Sequence, residues 1–206
     1  MGIAIFEIIV LIFSAVIHEV SHGFTAERLG DPTARNAGRL TLNPLKHLDL
    51  TGSIILPLVL YYVSGGAFVF GWAKPVPYNP YNLRNPERGA ALIAAAGPLS
   101  NFGIAIVLSA IYRVLGFASA SASPLGDLLG IIVIINVVLA VFNLVPIPPL
   151  DGAKVATALI PDSAGAVKSF FRENNPYGWV ILLVFIFIGM PFLAPLISAI
   201  SGFLLG

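Results

Sequence analysis

Four long stretches of the chain are almost entirely apolar: residues 3–25, 88–117, 127–145 and 177–205. A helix needs about 20 mostly apolar residues to cross the hydrocarbon core of a bilayer, and these stretches have that length. Pro191 and Pro195 in the last stretch are compatible with a span, because neighbouring helices can satisfy the backbone groups that proline frees. The pattern therefore predicts an all-α polytopic membrane protein with about four full transmembrane helices.

Two further apolar segments do not fit a full span. Residues 51–63 are short, contain Pro57 and precede Gly65 and Gly66, which favours a re-entrant intramembrane segment. Residues 67–83 combine aromatic residues, valine and three prolines at a spacing too tight for a helix. We predict a small extended segment there, able to form a strand and placed near the membrane interface, where tryptophan and tyrosine are favoured.

Lysine and arginine are distributed unevenly among the loops. Residues 26–50 carry four of them, 71–90 three, 113–126 one and 150–176 three. Cytoplasmic loops near span ends collect positive residues. If 51–63 re-enters, the three richer loops share the cytoplasmic side and the N-terminus lies outside; if it crosses, the bias weakens. We predict the first arrangement. We also predict that the first span is retained, because it lacks the basic start and the small-residue cleavage site of a signal peptide.

Composition agrees with a lipid environment. Of the 206 residues 57% are hydrophobic and 10% charged, whereas soluble domains are roughly 45–50% apolar. A net charge of +1 provides no basic face, so binding to nucleic acid is not expected. The length suits one domain, residues 1–206. Because cysteine is absent, any metal site must use histidine and carboxylate.

The first predicted span contains the run His18-Glu19-Val20-Ser21-His22, an H-E-x-x-H pattern. Residues four apart share a helix face, so both imidazoles can reach one metal ion, with Glu19 beside its open position. Zinc held in this way activates a water near neutral pH, and the adjacent carboxylate accepts the proton. A chance match in a chain of this size is on the order of one in a hundred, and ionisable residues inside a span usually mark function. The motif predicts a hydrolytic zinc site.

A third zinc ligand is required, because a catalytic site takes three protein ligands and one water. Arg28 stands where the extended helix-borne motif would place a third histidine. His47 and the acidic residues are therefore the candidates. Asp151 is favoured because it follows an apolar span and a proline-rich run that can lower the chain into a membrane cavity. Together with Glu19 it would also cancel the charge of Zn²⁺.

Three other polar residues have weaker signals. Asn143 ends an apolar span and either joins helices or donates to a substrate carbonyl or oxyanion; we predict the catalytic role. Asn101 is interpreted as structural, serving a carbonyl freed by a kink at Gly97 and Pro98. His47 is interpreted as a surface or interfacial histidine.

The H-E-x-x-H motif in a first apolar helix, combined with residues 143–152 (NLVPIPPLDG), resembles the site-2 protease family of intramembrane zinc metalloproteases. Residues 97–101 (GPLSN) and 43–47 (NPLKH) also resemble segments of its short prokaryotic members. The resemblance extends over residues 10–155 in order. Many members carry a PDZ domain; no stretch here is long enough for one, so substrate selection by such a domain is not expected.

The resemblance implies a ligand set and a function. It assigns His18, His22 and Asp151 as zinc ligands and Glu19 as the general base. The implied activity is an intramembrane endopeptidase that hydrolyses peptide bonds in transmembrane segments of membrane-protein substrates, in a multi-pass protein of a prokaryotic plasma membrane. Two alternatives remain, a divalent-metal transporter and an inactive membrane scaffold. A transporter usually spreads ionisable residues along a path, whereas here they are concentrated in H-E-x-x-H and one aspartate.

Overall fold

The computed structural model describes residues 2–63, 65, 71–117, 123–171 and 175–206. Its helices are α1 (Gly2–Arg28), α2 (Thr33–Asn36), α3 (Leu56–Val63), α4 (Pro86–Val114), α5 (Pro124–Asn143), α6 (Asp151–Leu159), α7 (Gly165–Phe170), α8 (Gly178–Val184) and α9 (Met190–Leu205). Two π-helical segments, Leu50–Ile55 and Phe185–Gly189, lead into α3 and join α8 to α9. No strand forms within the described ranges, which confirms the all-α class.

Among the described residues four helices are long and apolar enough to cross a membrane, as predicted: α1, α4, α5 and the continuous helix Gly178–Leu205. The starts of α4 and α5 lie two or three residues before the predicted starts. Asn85 accepts a hydrogen bond from the Arg88 N–H (3.0 Å), and Ser123 caps α5 in the same way. Each cap is followed by proline, whose fixed φ suits the first helical position. These local signals extend the helices beyond their apolar stretches.

The predicted re-entrant segment forms one short apolar helix, Leu50–Val63. Asp49 starts it by accepting the Gly52 N–H at 2.7 Å. The helix is shorter than the ~20 residues that a straight span requires. Its length therefore agrees with a re-entrant path, and its position in the bilayer remains a prediction.

Residues 71–79 follow a path that is neither helix nor strand. Residues 67–70 of the predicted extended segment lie outside the described residues. The Trp72 N–H donates to Gly52 O (3.1 Å) and the Lys74 N–H to His47 O (2.8 Å). Prolines remove ladder donors, and the remaining donors bind scattered carbonyls instead of one neighbouring strand. Residues 71–79 are thus non-helical, as predicted, but they form no strand.

The centre of the molecule lies where α4 packs against α1, α5 and α6. A buried apolar cluster, Ala105, Val133, Val137 and Val141, joins α4 to α5, and α9 packs against it. Beside this cluster α1, α4 and α5 bury polar side chains as well. The packing of α4 against α1 brings the H-E-x-x-H motif into the interior.

Candidate metal centre

His18 and His22 lie on one face of α1, with ring centroids 4.6 Å apart. The Nδ1 of His18 is 2.7 Å from Asn101 Oδ1, and the Nδ1 of His22 is 2.6 Å from Ile93 O. Carbonyl oxygens only accept hydrogen bonds, so both Nδ1 atoms donate. In the neutral imidazoles both Nε2 atoms then carry the lone pair that a metal ion requires.

A buried polar network fixes the orientation of Asn101. Its Nδ2 donates to Asn136 Oδ1 (2.9 Å) and to Ser14 O (3.3 Å), and the Asn136 Nδ2 donates to Ser14 Oγ (3.0 Å). Both asparagines are fully buried. With its amide nitrogen used in this way, Asn101 presents its oxygen to His18. The expectation that Asn101 serves a carbonyl freed by the kink is therefore replaced by a contact to a motif histidine.

Asp151 is the first residue of α6, and its Oδ2 lies 3.0 Å from His18 Nε2 and 3.2 Å from His22 Nε2. The three side chains are 8–13% exposed. Burial alone would raise the pKa of the Asp151 carboxyl, but its contacts with the two histidines hold that pKa below its ordinary range. An anionic oxygen facing two imidazole nitrogens requires positive charge among them, as protons or as a metal ion. Two histidines and one carboxylate match a zinc donor set.

Glu19 competes with Asp151 for the third place, because its ligand atom and those of both histidines lie within 4.8 Å of one another. Glu19 Oε2 accepts the Val76 N–H at 2.9 Å. In the described part of the chain Oε1 carries no hydrogen bond. Asp151 suits the ligand role better because one of its oxygens faces both Nε2 atoms. Glu19, held by the backbone at one oxygen, suits proton transfer at the other.

Asp31 anchors the segment that holds Glu19. Its buried carboxylate accepts the Asn79 N–H (2.6 Å) and the Asn82 side-chain amide (2.7 Å). Burial opposes the charged form, but these bonds and those from Thr33 hold the pKa of Asp31 below its usual value. The carboxylate thus ties the segment carrying Val76 to the end of α1.

Two glycines allow the elements around the site to approach closely. A Cβ on Gly97 would lie 2.5 Å from both His18 Nε2 and His22 Cε1. A Cβ on Gly152 would overlap the carbonyls of Leu144 and Val145. The first glycine lets α4 pack directly on the imidazoles, and the second lets α6 begin against the end of α5. Each position therefore excludes a side chain for a steric reason.

The remaining sequence candidates lie apart from this cluster. Asn143 ends α5, and its Nδ2 donates to Leu139 O at 2.9 Å. Within the described residues no hydrogen bond joins Asn143 to the histidines or Asp151, and its contact with an oxyanion remains a prediction. His47 is 1% exposed, and its Nε2 lies 2.9 Å from Thr41 O. Its interpretation as a surface histidine is wrong, because the imidazole is buried in the loop that follows α2. That this loop lies at the membrane interface stays a prediction.

Sequence reasoning missed Asn136 and the Val76 N–H. Asn136 had a signal, since it is a polar residue within an apolar span and such residues must find partners in lipid. The Val76 N–H had none, because a backbone donor has no residue type. Only the folded path of residues 71–79 places it against Glu19.

Comparison with known proteins gives consistent matches. Residues 114–188 match the sequence model of peptidase family M50. The chain is 36% identical over 182 residues to the "Putative zinc metalloprotease YwhC" of Bacillus subtilis (strain 168). The aligned region covers 86% of this chain and 78% of that protein. The chain is 29% identical over 183 residues to the "Putative zinc metalloprotease Rip2" of Mycolicibacterium smegmatis, covering 89% and 67%.

An archaeal relative is more distant. The "Zinc metalloprotease MJ0392" of Methanocaldococcus jannaschii is 25% identical over 182 residues, covering 88% of this chain and 42% of that protein. No solved structure matches the chain. None of these relatives is named as a transporter or a scaffold.

Proposed function

Because the chain belongs to peptidase family M50, we propose that His18, His22 and Asp151 hold a zinc ion and that Glu19 accepts a proton during peptide-bond hydrolysis. The family and the relatives make it a multi-pass membrane protein and a zinc metalloprotease. The observation that carries the residue assignment is the convergence of two Nε2 atoms on one Asp151 oxygen. We include all of residues 1–206 in one catalytic domain.

The side chains of the site would offer a metal ion a fixed set of donor atoms. Asn101 and Ile93 accept from the Nδ1 atoms and so keep each Nε2 free. Asp151 and Glu19 supply two negative charges, which balance a divalent cation in a low-dielectric interior. When bound, zinc would supply Lewis-acid polarisation and an activated water.

Glu19 moves the proton. Its Oε2 is held by the Val76 N–H, so Oε1 is the atom that takes the proton from the attacking water. As the new carbon–oxygen bond forms and the carbon–nitrogen bond breaks, that proton passes to the departing amide nitrogen. Asn143 is assigned to the developing oxyanion as a donor, which requires its amide to leave Leu139 O.

The substrate is a membrane protein with a transmembrane helix. His18 stands 16 residues after Gly2, about 24 Å along α1. With the basic loops cytoplasmic, this depth lies in the cytoplasmic part of a prokaryotic plasma membrane. A helical substrate hides its scissile carbonyl in hydrogen bonds, so it must unwind locally before the cut.

Glu19→Gln tests the assignment. The amide cannot accept the proton, while both histidines and Asp151 remain, so the purified variant should keep stoichiometric zinc and lose cleavage of a single-span reporter. Glu7→Gln on the same helix is the matched control, because Glu7 is exposed and lies outside the site. Cleavage by Glu19→Gln at the normal rate would remove Glu19 from the mechanism. Zinc flux into proteoliposomes without cleavage by the unaltered protein would favour a transporter.

A further inference from the structure

A second site of interest lies beyond the C-terminal end of α1. A cavity of about 510 Å³ is formed by the loop between α2 and the Leu50–Val63 helix, together with residues 74–77. Its lining includes Arg39, Lys46 and Lys74, with Leu45 and Leu48 beside them. None of these residues belongs to the proposed zinc site.

The cavity concentrates positive charge that no described carboxylate compensates. The net charge of the protein is only +1, yet three cationic side chains line this one cavity. Among the described residues no carboxylate forms an ion pair with Arg39, Lys46 or Lys74; the ion pairs present involve other residues. Like charges around one cavity repel each other, so the arrangement favours binding of an anion.

Arg39 gives an independent indication. The residue is 7% exposed, and one guanidinium nitrogen, Nη2, donates to Lys74 O (2.6 Å) and Pro75 O (3.4 Å). Its Nε is buried and has no partner within the described chain. A buried cation without a counter-charge and with an unused donor is costly. The guanidinium lines the cavity, and although its buried Nε is out of reach there, a phosphate group in the cavity would supply the counter-charge that Arg39 has from no described residue.

The apolar lining distinguishes a lipid from a small soluble anion. Leu45 is 73% exposed and Leu48 40%, and Leu42 on the same loop is 60% exposed. These leucines stand next to cations just past the end of the membrane helix α1. Cations beside exposed apolar side chains match the boundary between headgroups and acyl chains.

We propose that this cavity binds the phosphate of an anionic phospholipid. Arg39, Lys46 and Lys74 surround the headgroup phosphate, and Leu45 and Leu48 contact the start of the acyl chains. Lysine and arginine side chains next to a membrane helix attract anionic headgroups in this way. The site lies outside the catalytic residues and does not depend on their assignment.

Binding can be measured with the full chain in a neutral detergent. A fluorescent short-chain phosphatidylglycerol is the probe, read by anisotropy and competed with unlabelled phosphatidylglycerol, phosphatidylcholine or inorganic phosphate. We expect competition by phosphatidylglycerol far stronger than by the other two. Each lysine near the surface contributes enough that Lys46→Gln should weaken binding about fivefold and Lys46→Gln with Lys74→Gln about 25-fold. Both lysines are exposed, so their replacement should leave the fold intact.

Arg84→Gln is the charge-matched control, because Arg84 is exposed and outside the cavity. It should bind like the unaltered protein. Equal loss in Arg84→Gln, full binding by the double lysine variant, or equal competition by phosphatidylcholine would overturn the proposal. Competition by inorganic phosphate as strong as by phosphatidylglycerol would overturn the lipid assignment and leave a simple anion site. Since the assay needs no cleavage, its failure is separate from any failure of the proposed protease chemistry.

Discussion

The spans α1, α4 and α5 differ sharply from the last span, Gly178–Leu205. In the most apolar part of each of the first three, 28–33% of residues are buried within the protein, against 6% in the last. The last span packs mainly on the apolar cluster of α4 and α5 and exposes residues such as Phe192 (79%) along its length. One set of helices builds an interior, and the other mostly faces outward.

The buried polar groups of the first three spans and of the last span differ as well. Ser14, Asn101 and Asn136 join the first three spans through hydrogen bonds that end at His18. The last span buries Ser201, whose Oγ has no hydrogen-bond partner within the described chain. In lipid there is no hydrophobic drive between helices, so packing and polar contacts fix their register. The polar network therefore fixes how the first three spans pack against each other. The candidate site depends on that arrangement.

The largest expected effect follows from removing the residue that links α6 to α1. Asp151→Asn should lose most bound zinc and abolish cleavage, because a neutral amide oxygen is a poorer ligand and leaves the cation uncompensated. The measurement is zinc content and reporter cleavage of purified protein at one pH. Asp127→Asn, an exposed change in the first turn of α5, is the control.

His47→Ala tests the competing third ligand. Its imidazole lies against Thr41 O rather than in the cluster, so zinc should persist in this variant. Loss of zinc in His47→Ala together with its retention in Asp151→Asn would transfer the ligand role to His47. That result would also mean that α6 contributes no ligand to the metal centre.

Gly97→Ala should have the next largest effect. The added methyl group would meet both motif histidines, so α4 or the imidazoles must move. Disturbing the groups that orient metal ligands typically lowers metal affinity or activity about 10–100-fold. We expect a loss of zinc affinity in that range here. A zinc-competition titration measures it. Gly103→Ala on the same helix is the control, because a Cβ there meets nothing within 4 Å. Equal zinc affinity in the two variants would contradict the close approach of α4.

Much of the fold was predictable because a membrane span has a simple physical signature. Length and apolarity gave all four spans, and errors were confined to ends such as Asn85, where a cap and a proline extend the helix. The short Leu50–Val63 helix was predictable for the same reason. The path of residues 71–79 was not, since its hydrogen bonds go to distant loop carbonyls and side chains that no local pattern specifies.

The site divides in a similar way. The proximity of His18 and His22 was predictable because helix periodicity places them together. Asp151 was favoured over His47 and the other acids because it follows an apolar span and a proline-rich run, and the structure brings it to both histidines. The support of His18 by Asn101 required knowing that α4 packs on α1 and that Asn136 occupies the amide nitrogen of Asn101. Such contacts depend on which faces of the helices meet. The sequence of an apolar span carries little information about which of its faces meets which neighbour.

The smallest expected effect tests the contrast between spans directly, with one substitution made in two places. Val137 in α5 is fully buried, whereas Val184 in the last span is 53% exposed. In lipid the loss on truncation is mainly van der Waals contact, so Val137→Ala should destabilise the protein by roughly 1 kcal/mol and Val184→Ala by close to zero. Unfolding of both variants in mixed micelles, followed by helical circular dichroism, measures the difference. Equal destabilisation would show that the last span packs as tightly as the first three and would remove the distinction drawn between them.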